Sequence, residues 1–165
     1  MEGKNIVLIG ITGCGKTTIG NFLAEKLQLP FYDVDIYIEK EQEKSIKDIF
    51  IHGEEYFRKI ESLAVEEILH MGGCKVISTG GGVVKNHKNM ELFLSNSIVI
   101  FLNRNIDKIV GEIDVTNRPL LSANVFKIYD LYEERLPLYK KYCNYEIRNK
   151  ECIEEAIDEI LYILK

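Results

Sequence analysis

The stretch Asn5–Thr18, NIVLIGITGCGKTT, decides the fold of this chain. Its apolar residues Ile6–Ile9 predict a buried strand, which runs directly into a glycine-rich turn. From Gly10 to Thr17 the turn matches the pattern G-x-x-x-x-G-K-[ST]. Glycines let the backbone adopt positive φ angles and bring its N–H groups close to phosphate oxygens. The stretch therefore predicts a nucleoside triphosphate site at the end of the first strand.

Two side chains of the turn indicate how the triphosphate is bound. Lys16 is placed to reach the β- and γ-phosphates, and the Thr17 hydroxyl is placed to ligate Mg²⁺. The helix that follows directs the positive end of its dipole at the same anion. The alternative is a glycine-rich turn with an incidental lysine, but the motif also has its expected context. An apolar strand precedes it, and an amphipathic helix follows with apolar residues at helical spacing, Ile19, Phe22, Leu23 and Leu27.

The composition is that of a globular protein. The chain has 165 residues, of which 46% are hydrophobic and 28% charged, and this suits a single domain over residues 1–165. A net charge of −5 excludes a broad basic surface for nucleic acid, and we expect no nucleic-acid partner. No apolar run is long enough to span a bilayer, and the N-terminus lacks the pattern of a signal peptide. We therefore expect a monomeric cytoplasmic protein with no membrane partner.

Cysteine and histidine residues give little sign of a structural metal site. The four cysteines form no C-x-x-C pair, and the three histidines lack ligand spacing. Cys14 lies in the phosphate-binding turn, either as a reactive thiol at a helix N-terminus or as a small filler residue.

Apolar residues, glycines and prolines predict the order β-α-β-α-α-β-α-β, a polar flap, and then α-β-α. Ser45 and Asn86 are expected helix caps, and a long helix is predicted from Glu54 to His70. A helix over about Phe126–Tyr142 is predicted with Ile128, Leu131, Tyr132 and Leu138 on its inner side. Strands that alternate with helices form parallel sheets. We expect an α/β fold, a three-layer α/β/α sandwich with a five-stranded parallel sheet.

Two acids, Asp33 and Asp35, follow the second predicted strand. At the carboxyl end of a parallel strand they would lie beside a ligand crevice. There they could hold a metal-bound water, orient a substrate hydroxyl or accept its proton. The alternative is ordinary N-capping of the next helix.

Three further segments have both a functional and a structural interpretation. Arg58 has Glu54 and Glu61 within reach on its helix, which would also suit a solvated, salt-bridged face. Gly80–Gly82 follows a strand and would allow close approach of a ligand, or it could be a plain loop. The polar segment 111–117 before Arg118 suits a mobile flap that closes a phosphoryl-transfer site, or a surface loop with an incidental arginine.

Along essentially its whole length, the chain resembles the shikimate kinase family, whose fold is of the P-loop NTPase type. Five blocks of sequence carry the match. They are GITGCGKTT at Gly10–Thr18, FYDVDIYIE at Phe31–Glu39, GEEYFRKIE at Gly53–Glu61, STGGGVV at Ser78–Val84, and NRPLL with ERLPLY around Arg118 and Arg135. The resemblance implies phosphorylation of the 3-hydroxyl of shikimate by ATP, a step of aromatic amino-acid biosynthesis. It also implies a lid at about residues 111–121 and substrate-binding helices at about residues 35–62.

The resemblance implies a role for each matching residue. ATP phosphates would be held by the loop and the start of its helix, that is by Gly13, Cys14, Gly15, Lys16, Thr17 and Thr18. Thr17 would ligate Mg²⁺ directly and Asp33 through water. Asp35 would bind the substrate hydroxyls and is the candidate base. Shikimate would also be bound by Arg58, Gly81 and Arg135, and Arg118 would reach the transferring phosphate; Lys16, Asp35 and Arg118 are the implied catalytic residues.

One position departs from the family pattern. Family members carry an arginine shortly before the lid arginine, where it stacks on adenine, but this chain has Gly111 there and only Lys108 nearby.

Two other functions are compatible with the motif residues. A kinase for another carboxylated polyol, such as gluconate, would use the same arginines and acids. A nucleotide-binding switch without catalysis would need only the loop, and it would not be expected to keep Lys16, Thr17, Asp35 and Arg118 together.

Overall fold

A sheet of five parallel strands forms the centre of the fold in the computed structural model, which describes residues 3–113, 120–121, 124–149 and 152–165. The strand order is β2-β3-β1-β4-β5, and every neighbouring pair is parallel. The strands are β1 Asn5–Ile9, β2 Phe31–Asp33, β3 Val76–Ser78, β4 Ser97–Arg104 and β5 Tyr145–Asn149.

The helices connect these strands in the predicted order. They are α1 Lys16–Leu27, α2 Val34–Gln42, α3 Ile46–Phe50, α4 Glu54–His70, α5 His87–Asn96, α6 Ile106–Glu112, α7 Lys127–Tyr142 and α8 Ile153–Ile163, with a 3₁₀ turn at Val83–Lys85. Six consecutive residues of β4, Ser97–Leu102, are buried, as they must be when helices cover both faces of a sheet. None of the helices in the described part of the chain combines the length and apolar character that a membrane crossing requires.

Strand order places the crevice of the fold at the end of β1. The chain leaves β1 towards β2 and β3 on one side of the sheet, and it later adds β4 and β5 on the other side. In open α/β sheets, ligands bind at the carboxyl ends of the strands where the order reverses in this way. The loop that joins β1 to α1 is the predicted phosphate-binding turn, and it therefore lies at this position.

Local capping signals are confirmed. Ser45 accepts a hydrogen bond from the backbone of Asp48 at the start of α3, and Asn86 accepts bonds from the first turn of α5. The predicted bounds of α4 coincide with the observed ones, because glycines lie at both ends of this helix.

Three details differ from the prediction. Phe22 is 47% exposed, so this position of α1 is outside the apolar core. The fully buried residues of α7 are Ile128, Arg135, Tyr139 and Tyr142; Leu131, Tyr132 and Leu138 pack against the core from the inner side, as predicted, but are only half-buried. Gly111 and Glu112 form the last residues of α6, so the start of the segment predicted as a lid is helical. Most of that segment, including Arg118, lies outside the described residues.

Candidate active site

The loop between β1 and α1 requires glycine at its tightest points. Gly13 and Gly15 have φ angles of 79° and 98°, a region that other residues adopt only with strain. A Cβ on Gly13 would lie 2.8 Å from Cγ2 of Ile109, so space also excludes a side chain there. Gly15 precedes α1 and offers no side-chain cap, which leaves the first N–H groups of that helix for an anion.

Side chains of the protein bind the carbonyl groups of this loop. The Lys16 ammonium donates to the carbonyls of Gly10 at 2.9 Å and Ile11 at 3.0 Å. From the end of β5, the buried Asn149 amide donates to the carbonyl of Cys14 at 2.9 Å. Hydrogen bonds to its carbonyls thus hold the loop in place, and the groups that can bind an anion are its N–H groups and Lys16.

Asp33 joins the loop helix α1 to helix α2. One oxygen accepts a hydrogen bond from the Thr17 hydroxyl at 2.7 Å, and the other accepts from the backbone N–H groups of Asp35 at 3.0 Å and Ile36 at 3.3 Å. The N-capping role of Asp33 is therefore confirmed, and the same carboxylate also contacts the residue predicted to ligate Mg²⁺. Asp35 lies in the first turn of α2, beside this contact.

A cavity of about 570 Å³ lies over the loop. The residues predicted to hold ATP phosphates line it with one exception among those described: Gly13, Gly15, Lys16, Thr17 and Thr18. The exception is Cys14, whose side chain is fully buried in the core with its sulfur 3.7 Å from Nζ of Lys16. Only the backbone of Cys14 is therefore in a position to contribute to binding.

A second, smaller cavity of about 90 Å³ brings together the residues predicted to bind the acceptor. Asp35 comes from α2, Arg58 from α4, Gly81 from the loop after β3, and Arg135 from α7. Its apolar walls include Phe50, Phe57, Leu121 and Leu131. The two cavities share Asp35, Gly81 and Thr12 in their linings, so the donor and acceptor regions meet there.

Arg58 lies between two carboxylates of its own helix. Its Nη1 donates to Glu61 at 2.8 Å, and its Nε and Nη2 donate to one oxygen of Glu54 at 3.3 and 3.0 Å. The interpretation as a solvated face is wrong, because the side chain of Glu61 is 0% exposed and that of Arg58 is 16% exposed. Lys85 continues the network with a contact of 3.2 Å to Glu54.

Burial and pairing act in opposite directions on the pKa values of this cluster. Burial raises the pKa of the Glu61 carboxyl, and the guanidinium groups of Arg58 and Arg135 partly oppose that shift. Burial by itself lowers the pKa of Arg58, but the carboxylates of Glu61 and Glu54 outweigh it and the net shift is upward. Arg58 consequently remains a cation in this site.

Arg135 differs from Arg58 in the pairing of its guanidinium. The side chain is buried at 3% exposure, yet its Nε and Nη2 have no hydrogen-bond partner among the residues that the structure describes. These two nitrogens form the edge of a guanidinium that binds a carboxylate in bidentate geometry. A buried edge of this kind is costly to leave unpaired, so Arg135 is built to receive an anion.

The glycines after β3 leave room for the charged groups of the site. A Cβ on Gly80 would lie 2.9 Å from an Asp35 oxygen, and one on Gly82 would lie 2.0 Å from Nη2 of Arg58. The groups that approach these glycines are side chains of the site itself, and the close approach of a ligand stays a prediction. The buried Tyr139 hydroxyl donates to the carbonyl of Gly81 and holds this loop against α7; burial raises the pKa of this phenol well above its ordinary value.

Several residues of the site were not predicted. Glu61 was predicted only as an ion-pair partner of Arg58, and its complete burial could not be inferred from a spacing that also suits a surface ion pair. Asn149 and Arg104 are the last residues of β5 and β4, and both donate to carbonyls of the loop. Their position in the sequence could have indicated a place in the site, because residues at the carboxyl ends of parallel strands face the crevice.

Comparison with known proteins identifies the family of the chain. The model of the shikimate kinase family matches residues 12–165. A shikimate kinase of Clostridium botulinum (strain Alaska E43 / Type E3) is 46% identical over 164 residues, which cover 99% of this chain and 98% of that protein. A shikimate kinase of Sulfurihydrogenibium sp. is 39% identical over 165 residues, with 98% of both chains covered.

Solved structures of shikimate kinases share the fold. The enzyme from Acinetobacter baumannii, in complex with shikimate, matches with a TM-score of 0.92 and 32% identity, covering 99% of this chain and 93% of that one. The enzyme from Aquifex aeolicus matches with a TM-score of 0.84 and 34% identity, covering 97% and 95%. The expected α/β fold with a five-stranded parallel sheet is confirmed. Since a family model and full-length relatives both match, the chain belongs to the shikimate kinase family.

Proposed function

We propose that this chain transfers the γ-phosphoryl group of ATP to the 3-hydroxyl of shikimate, which yields shikimate 3-phosphate and ADP for aromatic amino-acid biosynthesis. The observation that carries the proposal is the meeting of two cavities at Asp35. One lies over a phosphate-binding loop, and the other contains a buried arginine whose carboxylate-binding edge has no partner in the described part of the chain. A carboxylated polyol held by that arginine can present a hydroxyl to the triphosphate at the shared wall.

In the donor region, the triphosphate binds to the N–H groups of the loop and of the first turn of α1. Lys16 then exchanges the carbonyls of Gly10 and Ile11 for phosphate oxygens, which are stronger acceptors for a cation. Thr17 and Asp33 offer the hard oxygen ligands that Mg²⁺ prefers, and their side chains already lie 2.7 Å apart. We place Mg²⁺ on the Thr17 hydroxyl, with Asp33 reached through water; bound there, it would supply positive charge to the phosphates.

In the acceptor region, Arg135 and Arg58 bind the carboxylate of the substrate. Arg135 contributes its unpartnered Nε and Nη2, and Arg58 contributes a cation fixed by Glu61 and Glu54. The backbone of Gly81 forms the floor of the pocket, where Tyr139 holds its carbonyl. A fixed carboxylate orients the ring, and orientation is the main contribution a protein can make to a reaction of this kind.

At the shared wall, Asp35 accepts a hydrogen bond from the 3-hydroxyl and takes its proton as the phosphoryl group arrives. The transferring group has a loose transition state with its charge on the equatorial oxygens. Lys16 stabilises that charge, and we propose the same role for Arg118, which lies outside the described residues.

The proposal is tested by mixing the purified protein with ATP, Mg²⁺ and shikimate and following ADP production. Parallel reactions with gluconate in place of shikimate test the alternative acceptor, and EDTA tests the need for Mg²⁺. We expect turnover with shikimate only, abolished by EDTA. ADP production no faster than in the substrate-free control would overturn the proposal, and binding of ATP without any turnover would favour a nucleotide-binding switch.

The remaining parts of the proposal concern organisation. We propose one domain over residues 1–165, with a lid at about 111–121 whose first two residues end α6, and with substrate-binding helices at about 35–62. We also propose a monomer in the cytoplasm without nucleic-acid or membrane partners, in keeping with the net charge of −5. Light scattering after size-exclusion chromatography measures the oligomeric state, and a dimer mass would contradict that part.

A further inference from the structure

The nucleoside end of ATP must lie on the side of the sheet opposite to the acceptor, an inference that rests on the proposed function. Phosphates occupy the loop after β1, in the middle of the sheet, and the acceptor site lies towards β2 and β3 through Asp35 and Gly81. The donor cavity extends in the other direction, towards β4 and β5. Its walls there are Arg104, Ile109, Glu112, Ile113, Asn149 and Ile153.

Arg104 is the one arginine in this lining among the residues that the structure describes. Its Nη1 donates to the carbonyl of Gly13 at 3.4 Å, and its Nη2 donates to both carboxylate oxygens of Glu112, at 3.0 and 2.8 Å. The guanidinium is thus held by its N–H edges between the phosphate-binding loop and the end of α6. Its side chain remains 20% exposed, so part of it is open at the wall of the cavity.

A guanidinium fixed in this way is suited to bind an aromatic ring. Its Nη1 and Nη2 each already have an acceptor, and the faces of its plane remain suitable for stacking. Three isoleucines, Ile109, Ile113 and Ile153, supply apolar surface in the same part of the cavity.

We propose that the face of the Arg104 guanidinium stacks on the adenine ring of ATP, and that Glu112 positions it. Stacking of a planar cation on a base is favourable, and it depends little on the hydrogen-bonding edges of that base. Arg104 would then set the affinity for the nucleoside part of ATP, while the loop sets the affinity for its phosphates.

Isothermal titration calorimetry in the presence of Mg²⁺ separates these two contributions. The ligands are ATP and inorganic tripolyphosphate, which has the phosphates but no base. Arg104→Ala should weaken ATP binding about ten-fold, the range of one stacking contact, and change tripolyphosphate binding less than about two-fold. Arg148→Ala is the matched control, because Arg148 is an exposed arginine of the neighbouring strand and lies outside this lining. It should change neither affinity.

Two outcomes overturn the proposal: an equal loss of ATP and tripolyphosphate affinity, which would mean that Arg104 acts only by holding the Gly13 carbonyl, or no loss at all. If Arg104→Ala does not fold, as judged by circular dichroism, the same titrations are made with Arg104→Lys. Lysine keeps the charge beside Glu112 but lacks the planar face, so this variant should also lose affinity for ATP and not for tripolyphosphate. Glu112→Gln should give a smaller loss specific to ATP. The titrations contain no shikimate, so they stand even if the protein proves to phosphorylate another acid.

Discussion

The donor and acceptor regions of this site are built on opposite principles. The donor region is one contiguous stretch of chain, Gly10–Thr18, and its main groups are backbone N–H groups and one lysine that rests on carbonyls of its own loop. The acceptor region takes side chains from α2, α4 and α7 and a glycine loop, and it leaves the Nε and Nη2 of Arg135 buried without partners among the described residues. The cation of the first region, Lys16, has acceptors before its ligand arrives, whereas part of Arg135 in the second does not.

The difference determines where single substitutions should act. Backbone groups are common to all residues, so binding of phosphates depends on a conformation that several neighbours maintain together. Side-chain charges belong to one residue each, so the acceptor region should lose binding of the acid through individual changes. Substitutions in the acceptor region should therefore raise the KM for shikimate and leave that for ATP unchanged, unless they fall on the shared wall.

Asp35→Asn falls on that wall and should have the largest effect. We expect kcat to fall roughly 10²- to 10⁴-fold, because the amide cannot accept the proton of the hydroxyl. ATP affinity should be unchanged, since the phosphates bind to the loop. Steady-state kinetics and ATP titration measure the two quantities. A kcat within about ten-fold of the original would mean that Asp35 only orients the hydroxyl, as a loose transition state permits.

Arg135→Ala should raise the KM for shikimate by roughly 100-fold or more, the cost of removing one partner of a buried charge pair. The KM for ATP should stay constant, because Arg135 does not line the donor cavity. Arg135→Lys is the control: it keeps a cation but lacks the bidentate edge, and it should recover only part of the loss. A parallel rise of both KM values would contradict the division into two regions.

Arg58→Ala should affect the stability of the fold as well as binding. It removes the direct partner of Glu61, whose side chain is 0% exposed, and we expect the free energy of unfolding to fall by about 2–3 kcal/mol. Urea denaturation measures this change. The double variant Arg58→Ala/Glu61→Gln should regain part of the loss, because the uncompensated buried carboxylate is gone. A double variant less stable than Arg58→Ala would show that Glu61 is needed for other contacts.

Gly82→Ala should have the smallest effect of the four. Its Cβ would lie 2.0 Å from Nη2 of Arg58, so the guanidinium must move within its pair of carboxylates. We expect the KM for shikimate to rise several-fold, up to about ten-fold, which corresponds to about 1.4 kcal/mol. Gly72→Ala is the matched control, since a Cβ there would meet no atom within 4 Å. Equal KM values for the two variants would mean that Arg58 tolerates displacement.

Features with a local cause could be predicted from the sequence. The loop needs glycines and a lysine at fixed spacing, α4 is bounded by glycines, and α3 and α5 begin at capping residues. The sheet followed from the alternation of strands and helices, which permits few arrangements. The loop of the donor region was predictable almost completely because its residues lie at fixed spacing within one stretch of chain.

Burial that depends on distant parts of the chain could not be predicted in this way. Glu61 lies three residues from Arg58, a spacing that is equally common on an exposed helix, but here Gly80 and Arg135 of α7, both distant in sequence, lie at the same pocket. Phe22 shows the reverse case, because its helical spacing suits a core position but no other element covers it. Arg104 was overlooked since β4 extends two residues past its apolar run.

The double attachment of Asp33 has a mechanical consequence. Its carboxylate is tied to Thr17, at the start of the phosphate-binding helix, and to the backbone of Asp35, which carries the group facing the acceptor. The short segment Asp33–Asp35 therefore fixes the distance between the phosphate-binding helix and the residue that faces the acceptor. A displacement of α3 or α4 changes the shape of the acceptor pocket without changing that distance. Redesign of the pocket for other acids should accordingly start in those helices and leave Asp33–Asp35 untouched.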